Sequence, residues 1–131
     1  MATYGVNMAS IIVVSGNQQG EYLPLGRRIS VIGRGESISL QILDDLVSRK
    51  HLRIYFNQTT SRYYAENMKS KHGVFINNCR ITTETVLFDG DKILIGNTTL
   101  LFTENDFNDR ESALCHYKKA GERKRETRTD A

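Results

Sequence analysis

Ser48, Arg49 and Lys50 set one hydroxyl and two cations on three consecutive residues, and Arg34 brings a further guanidinium from an earlier loop. A guanidinium presents a planar fork of donors and a hydroxyl adds one more. With nearby backbone N–H groups, the set suits a small, doubly charged oxyanion. The trio lies where the turn residues Asp44-Asp45 give way to an alternating run that begins at His51. A second stretch, Lys69 to Asn78, carries more cations, a histidine and turn residues. The residues therefore point to loops that hold a small oxyanion such as phosphate.

Other chemistry fits these residue types less well. Ser48, His51 and Asp44 or Asp45 offer a nucleophile, a base and an orienting acid. Residues three apart on a strand point to opposite faces, however, and the serine has no nucleophile-elbow context. Gly33-Arg34-Gly35 lacks the third glycine, the following helix and the Lys-Ser/Thr pair of a nucleotide-binding loop. Cys79, Cys115, His72 and His116 do not have the spacing of metal ligands. The expectation is a binding protein with no catalytic residues, no metal and no cofactor.

The elements that must position the loops are short. From Ser10 to Thr103, apolar runs alternate with turn residues: Ile11 to Val14, Glu21 to Leu25, Arg28 to Ile32 and Ser39 to Leu43. In His51 to Phe56, the period of two sets Leu52, Ile54 and Phe56 on one face and His51, Arg53 and Tyr55 on the other. Arg62 to Glu66 returns from that strand. Val74 to Ile76 and Cys79 to Ile81 form a hairpin around Asn77-Asn78, and Lys92 to Ile95 and Thr98 to Phe102 follow. Asp89-Gly90 and Gly96-Asn97 are dipeptides that join antiparallel neighbours. Pro24 suits an edge strand. Many short strands without a helical period predict an all-β antiparallel sandwich.

The composition changes after Thr103. Asn108 and Glu111 have the spacing of a helix N-terminal box, Gly121 suits a C-terminal stop, and Phe107, Leu114 and Tyr117 form a narrow apolar stripe. The predicted organisation is an N-terminal arm (1–9), a binding domain (10–105), a short helix (106–121) docked on the sandwich, and a disordered charged tail (122–131).

Bulk properties fit this reading. A chain of 131 residues is long enough for one hydrophobic core. The net charge is only +3, short of the one-sided basic excess usual for nucleic-acid binding, and the basic residues of the tail are interleaved with Glu122 and Glu126. The apolar run near the start is too short to span a membrane and lacks a basic lead. The two cysteines are unpatterned, so reduced thiols are expected. The chain reads as soluble, cytoplasmic and free-standing.

With these residues laid out, positions 10–103 resemble the forkhead-associated (FHA) domain, a phosphothreonine-recognition module. The resemblance rests on Gly33-Arg34, Ser48 to His51, Asn67 to Asn78, Leu87 to Asp91 and Ile95-Gly96, in this order and at this spacing. It implies a twisted β-sandwich of about eleven short strands whose end loops read the ligand. It also implies that Arg34 contacts the phosphate, that Ser48 donates to a phosphate oxygen and that Arg49 supplies a further contact. Lys71 adds a cation beside the pocket. His51 would brace the loop, Gly33 and Gly73 would serve turns, and Asn77 would tie loops together. The family usually has Asn at the position of His72, where it grips the ligand backbone, and Gly at the position of Asn78. An imidazole cannot copy an amide's donor–acceptor pair, whereas Asn tolerates the positive φ that the turn needs.

The implied function is that of an adaptor for phosphothreonine-bearing partners, either a Ser/Thr kinase or its substrates. The alternatives are a scaffold that binds without phosphate and a weak nucleic-acid contact through the tail. Leu46, in the loop before Ser48, predicts an apolar residue downstream of the phosphothreonine.

Overall fold

The computed structural model describes residues 9–104. The helix and tail expected over 106–131 lie outside the described residues, as does most of the N-terminal arm. Eleven strands form two packed sheets. In chain order they are β1 (Ser10–Val13), β2 (Tyr22–Pro24), β3 (Ser30–Gly33), β4 (Leu40–Gln41), β5 (Leu52–Asn57), β6 (Arg62–Asn67), β7 (Phe75–Ile76), β8 (Cys79–Arg80), β9 (Thr85–Val86), β10 (Lys92–Ile95) and β11 (Thr98–Thr103). One sheet has the order β2-β1-β11-β10-β7-β8 and the other β4-β3-β5-β6-β9.

The core lies between the sheets. Ile11 and Val13 of β1, Ile93 and Ile95 of β10, and Leu100 and Phe102 of β11 face Ile32, Leu52, Ile54 and Ala65 of the second sheet. Each such aliphatic or aromatic side chain contributes about 1.5–3 kcal/mol on burial. Tyr63 packs its ring against Phe56 and Phe102, with centroids at 5.1 and 5.6 Å. Its hydroxyl donates to the Gly26 carbonyl at 2.6 Å. Pro24 lies on the outermost strand of its sheet, where a missing N–H costs no ladder bond. Asn77 and Asn78 both take positive φ, 51° and 71°, as a two-residue turn of the primed type requires.

Three expectations need correction. The run Ser39 to Leu43 pairs only through Leu40 and Gln41, and it lies parallel to β3 rather than antiparallel. Its flanks bond through side chains: Ser39 Oγ accepts from the Val31 amide of β3, and the Gln18 side chain accepts from the Leu43 amide. Asp89-Gly90 does not join antiparallel neighbours. It carries the chain from β9 in one sheet to β10 in the other. His51 does not face outward with Arg53 and Tyr55. It precedes β5 and is fully buried, because both of its ring nitrogens are engaged by loop backbone. β9 carries too short an apolar run to register as a strand in the sequence.

Candidate functional site

Four connections meet at one end of the sandwich: β3–β4, β4–β5, β6–β7 and β10–β11. The first two are joined by backbone. Arg34 N–H donates to the Ser48 carbonyl at 2.9 Å, and Gly35 N–H to the Arg49 carbonyl at 3.1 Å. This approach is possible because Gly33 has no side chain. A Cβ there would come within 2.1 Å of the Arg49 carbonyl oxygen and 2.7 Å of that of Ser48, distances at which backbone must move. The glycine of the Gly-Arg pair is thus a spacing requirement.

Arg34 is exposed and held at three points. Its amide bonds Ser48, its carbonyl accepts from Gln41 Nε2 at 3.1 Å, and its Nε donates to the Val47 carbonyl at 3.0 Å. No described residue takes its two Nη groups, so the outward half of the fork keeps its donors. Arg34 and Arg49 line a cleft of about 780 Å³ together with Gln41, Lys50, Glu36 and Asp45. Ser48, Lys71 and His72 do not line it.

Ser48 links the second and third loops. Its Oγ accepts from the Lys71 amide at 3.1 Å, which leaves the hydroxyl proton to donate to an incoming acceptor. Beneath it, Ser48 N–H donates to His51 Nδ1 at 3.0 Å, and His51 Nε2 lies 2.7 Å from the Gly73 carbonyl. With Nδ1 accepting, Nε2 must carry the proton and donate. Burial holds the imidazole below its ordinary pKa of 6.5, with the Gly73 hydrogen bond and Asp44 opposing and His72 adding to the shift. His51 is therefore a neutral bridge between the Ser48 and Gly73 loops.

Gly73 has a φ of +85°, and the Arg80 guanidinium lies against it, 3.1 Å from where a Cβ would stand. Lys71 and His72 are exposed on the same loop. Asn77 ties the β7–β8 turn to the start of β10. It donates to Asp91 Oδ1 at 2.9 Å and accepts from the Lys92 amide at 3.0 Å. The register Ile93↔Ile76 and Leu94↔Phe75 puts that turn at the opposite end of β10 from the loop cluster. Arg34, Ser48, Arg49, Lys71, Gly33, His51 and Gly73 thus come together; Asn77 ties loops at the far end.

Two braces escaped the sequence reading. Asp44, read as a turn residue and set aside as an orienting acid, accepts from the Leu46 amide at 2.9 Å and from the Asn97 amide and Thr98 hydroxyl at 2.8 Å. Burial opposes its charge, but these bonds, with His51 nearby, outweigh it and hold the carboxyl below its ordinary value. Asp44 thereby pins the β4–β5 loop to the β10–β11 turn. Asn67 Oδ1 accepts from the Ser70 amide and hydroxyl at 3.0 and 2.7 Å, and Ser70 Oγ accepts from the Gly73 amide at 3.0 Å. The signal was present as an Asn and a Ser three residues apart, each followed by loop.

The family model described as FHA domain matches residues 30–96. FhaB, an FHA domain-containing protein of Mycolicibacterium smegmatis, is 28% identical over 90 residues, which are 69% of this chain and 57% of FhaB. The chain thus spans just over half the length of the curated relatives it matches. Among solved structures, one from a study of phosphothreonine-dependent FHA domain interactions is 26% identical, with a TM-score of 0.66, covering 73% of this chain and 95% of that one. The FhaA FHA domain, solved in complex with the intracellular domain of Rv3910, is also 26% identical, with a TM-score of 0.64 over 72% of this chain and 98% of that one.

Proposed function

This chain belongs to the FHA domain family, and from that membership we propose that it binds phosphothreonine-bearing proteins as a signalling adaptor, through the loop end that carries Arg34 and Ser48. The observation that carries the reading is the backbone pairing of Arg34 with Ser48, which brings together the two loops that bear the guanidinium and the hydroxyl.

A phosphothreonine brings about −1.5 to −2 charges and three acceptor oxygens at neutral pH. The Nη groups of Arg34 take two oxygens and the Ser48 hydroxyl takes the third, while Arg49 and Lys71 add positive charge at the rim. Each charge-assisted hydrogen bond contributes about 1.5–3 kcal/mol net. Three of them, less the freedom lost on association, account for an affinity in the micromolar range, about −8 kcal/mol. His72, exposed beside this set, takes the ligand backbone through a single hydrogen bond.

FHA domains are binding modules rather than enzymes, and the hydrogen bonding here supports the same reading for this chain. The Ser48 hydroxyl is not bonded to His51. One ring nitrogen accepts a backbone amide and the other faces a backbone carbonyl, so neither is left to take a proton from the serine. The binding unit is residues 10–105, the partner is a Ser/Thr kinase or one of its substrates, and the compartment is the cytoplasm. No helix among the described residues is long and apolar enough to cross a membrane.

The test is a calorimetric titration of a phosphothreonine peptide against its unmodified twin. Binding of the phosphorylated peptide alone supports the reading. Equal binding of both overturns it in favour of a phosphate-independent scaffold.

A further inference from the structure

From Asn67 to Ile81 the chain carries Lys69, Lys71, His72 and Arg80 and no acidic residue. Elsewhere arginines meet carboxylates: Arg53 pairs with Glu66 at 2.7 Å and approaches Glu84 at 3.9 Å, and Arg62 pairs with Glu104 at 3.4 Å. Arg80 is exposed and has no such partner among the described residues, yet its head group is held in place. It stands on β8 opposite Phe75 and lies over that ring, with Cζ 5.9 Å from the centroid. Its Cζ, Nε and Nη2 are 3.1, 3.1 and 3.2 Å from the point where a Gly73 Cβ would stand. Near-equal distances to three atoms of one plane put that point over the face of the guanidinium. The flat face therefore rests on Gly73, where a side chain would crowd it, and the N–H donors run along the edge of the plane.

Gly73 follows Lys71 by two residues, and the Lys71 amide bonds Ser48 Oγ at 3.1 Å. With about 3.8 Å between consecutive Cα atoms, the guanidinium stands on the order of 10 Å from the serine hydroxyl. An extended peptide advances about 3.3–3.6 Å per residue, which puts this cation within about three residues of a phosphothreonine held at Ser48. We propose that Arg80 selects ligands bearing an aspartate or glutamate at that distance from the phosphothreonine, its edge N–H groups taking the carboxylate as a fork. This role presupposes phosphothreonine binding at Ser48 and adds a second recognised group on the ligand. Lys69, Lys71 and His72 surround the fork with further positive or neutral groups, and no carboxylate of the same stretch competes for it. A guanidinium already laid on Gly73 loses little freedom on pairing. The ligand residue concerned is not the one beside Leu46. β8 is the edge of its sheet, past β10 and β7, whereas Leu43 and Leu46 border Asn17 and the β10–β11 turn.

The test titrates the full chain with phosphothreonine peptides that carry Asp or Asn at each flanking position in turn. At one position, away from the residue facing Leu46, Asp should bind roughly fivefold tighter than Asn, and Arg80→Gln should bring that ratio to about one. Arg80→Glu should make Lys the preferred residue at the same position. Equal binding of Asp and Asn at every position overturns the proposal. So does a ratio that survives in Arg80→Gln, which assigns the carboxylate to Lys69 or Lys71. A loss shared equally by the Asp and Asn peptides in Arg80→Gln makes Arg80 a brace of the Gly73 loop and overturns it too. Unmodified twins of the same peptides keep the two readings apart. Phosphate dependence without an Asp preference removes the role of Arg80 alone, and binding without phosphate dependence removes both.

Discussion

The Arg34 amide donates to the Ser48 carbonyl at 2.9 Å, so two side chains from different loops depart from residues fixed to each other by backbone. The Nε bond from Arg34 to the Val47 carbonyl adds a restraint on the guanidinium itself. The Lys71 amide on Ser48 Oγ extends the same device to a third loop. Preorganisation of this kind lowers the ordering cost of binding an anion. It also means that the ligand contacts and the braces can be separated by mutation.

Removing a contact should cost binding and spare the fold. Arg34→Ala removes the fork and one hydrogen bond from Nε to Val47, while its backbone bonds to Ser48 and Gln41 persist. Phosphopeptide affinity should fall at least about a hundredfold, from the loss of two charge-assisted bonds, with stability changed by only about 1 kcal/mol. Ser48→Ala should lose roughly tenfold, because its amide still bonds His51. Calorimetry and thermal melts on the same samples separate the two quantities. Unchanged affinity in Arg34→Ala would remove the anion from this site.

Gly33 makes the opposite separation. Its substitution by Ala puts a methyl 2.1 Å from the Arg49 carbonyl oxygen, whereas in Gly35→Ala the same oxygen is 3.2 Å away. Gly33→Ala must displace backbone and should destabilise by about 1–3 kcal/mol, a fall in melting temperature of several degrees. Gly35→Ala should lose markedly less. Equal melting temperatures for the two variants would show that the β3–β4 and β4–β5 loops can part freely.

How much of this could be read in the sequence follows from what each residue does. Lys92 to Ile95 emerged with its bounds intact because alternation and flanking turns act over the same few residues. The Arg34–Ser48 meeting was legible through the family pattern alone, since no local rule links two loops across a sheet. Asp44 went unread because its partners, Asn97 and Thr98, are remote in the chain. His51 was placed on the outer face because period two was extended one residue past the end of the strand. β4 was predicted too long because only Leu40 and Gln41 lie in register with β3, and the Leu43 amide is taken by the Gln18 side chain rather than by a neighbouring strand.

Ligand choice beyond the phosphate should follow Leu46 and Leu43. Both are exposed apolar side chains, 38% and 59% accessible, and they border a hollow of about 380 Å³ shared with Asn17, Asn97 and Thr98. A degenerate phosphothreonine library should enrich an aliphatic residue a few positions downstream. Leu46→Arg should shift the preference toward an acidic residue there, because a cation would then face that side chain. Enrichment of Asp or Glu by the unmodified protein would assign the hollow to something other than ligand.

The neutral bridge at His51 sets a pH dependence on the mild-acid side. Burial depresses its pKa from 6.5, so below that pH the unfolded chain takes up a proton that the folded protein refuses. Stability contributed by the neutral ring is complete above 6.5 and declines as pH falls toward the folded value, by at most about 1.4 kcal/mol per pH unit for one proton. The Asp44 carboxyl, held below its ordinary 3.8, loses its contribution only as pH falls below that value, outside the mild-acid range. Urea unfolding without ligand between pH 7.5 and 5 avoids the titration of the phosphate itself. Wild-type stability should fall across this range, and His51→Gln, less stable at pH 7.5, should show a flatter profile. Parallel profiles for the two proteins would mean that the imidazole is not kept neutral in the fold, and the bridge from Ser48 to Gly73 would have to be drawn with a charged ring.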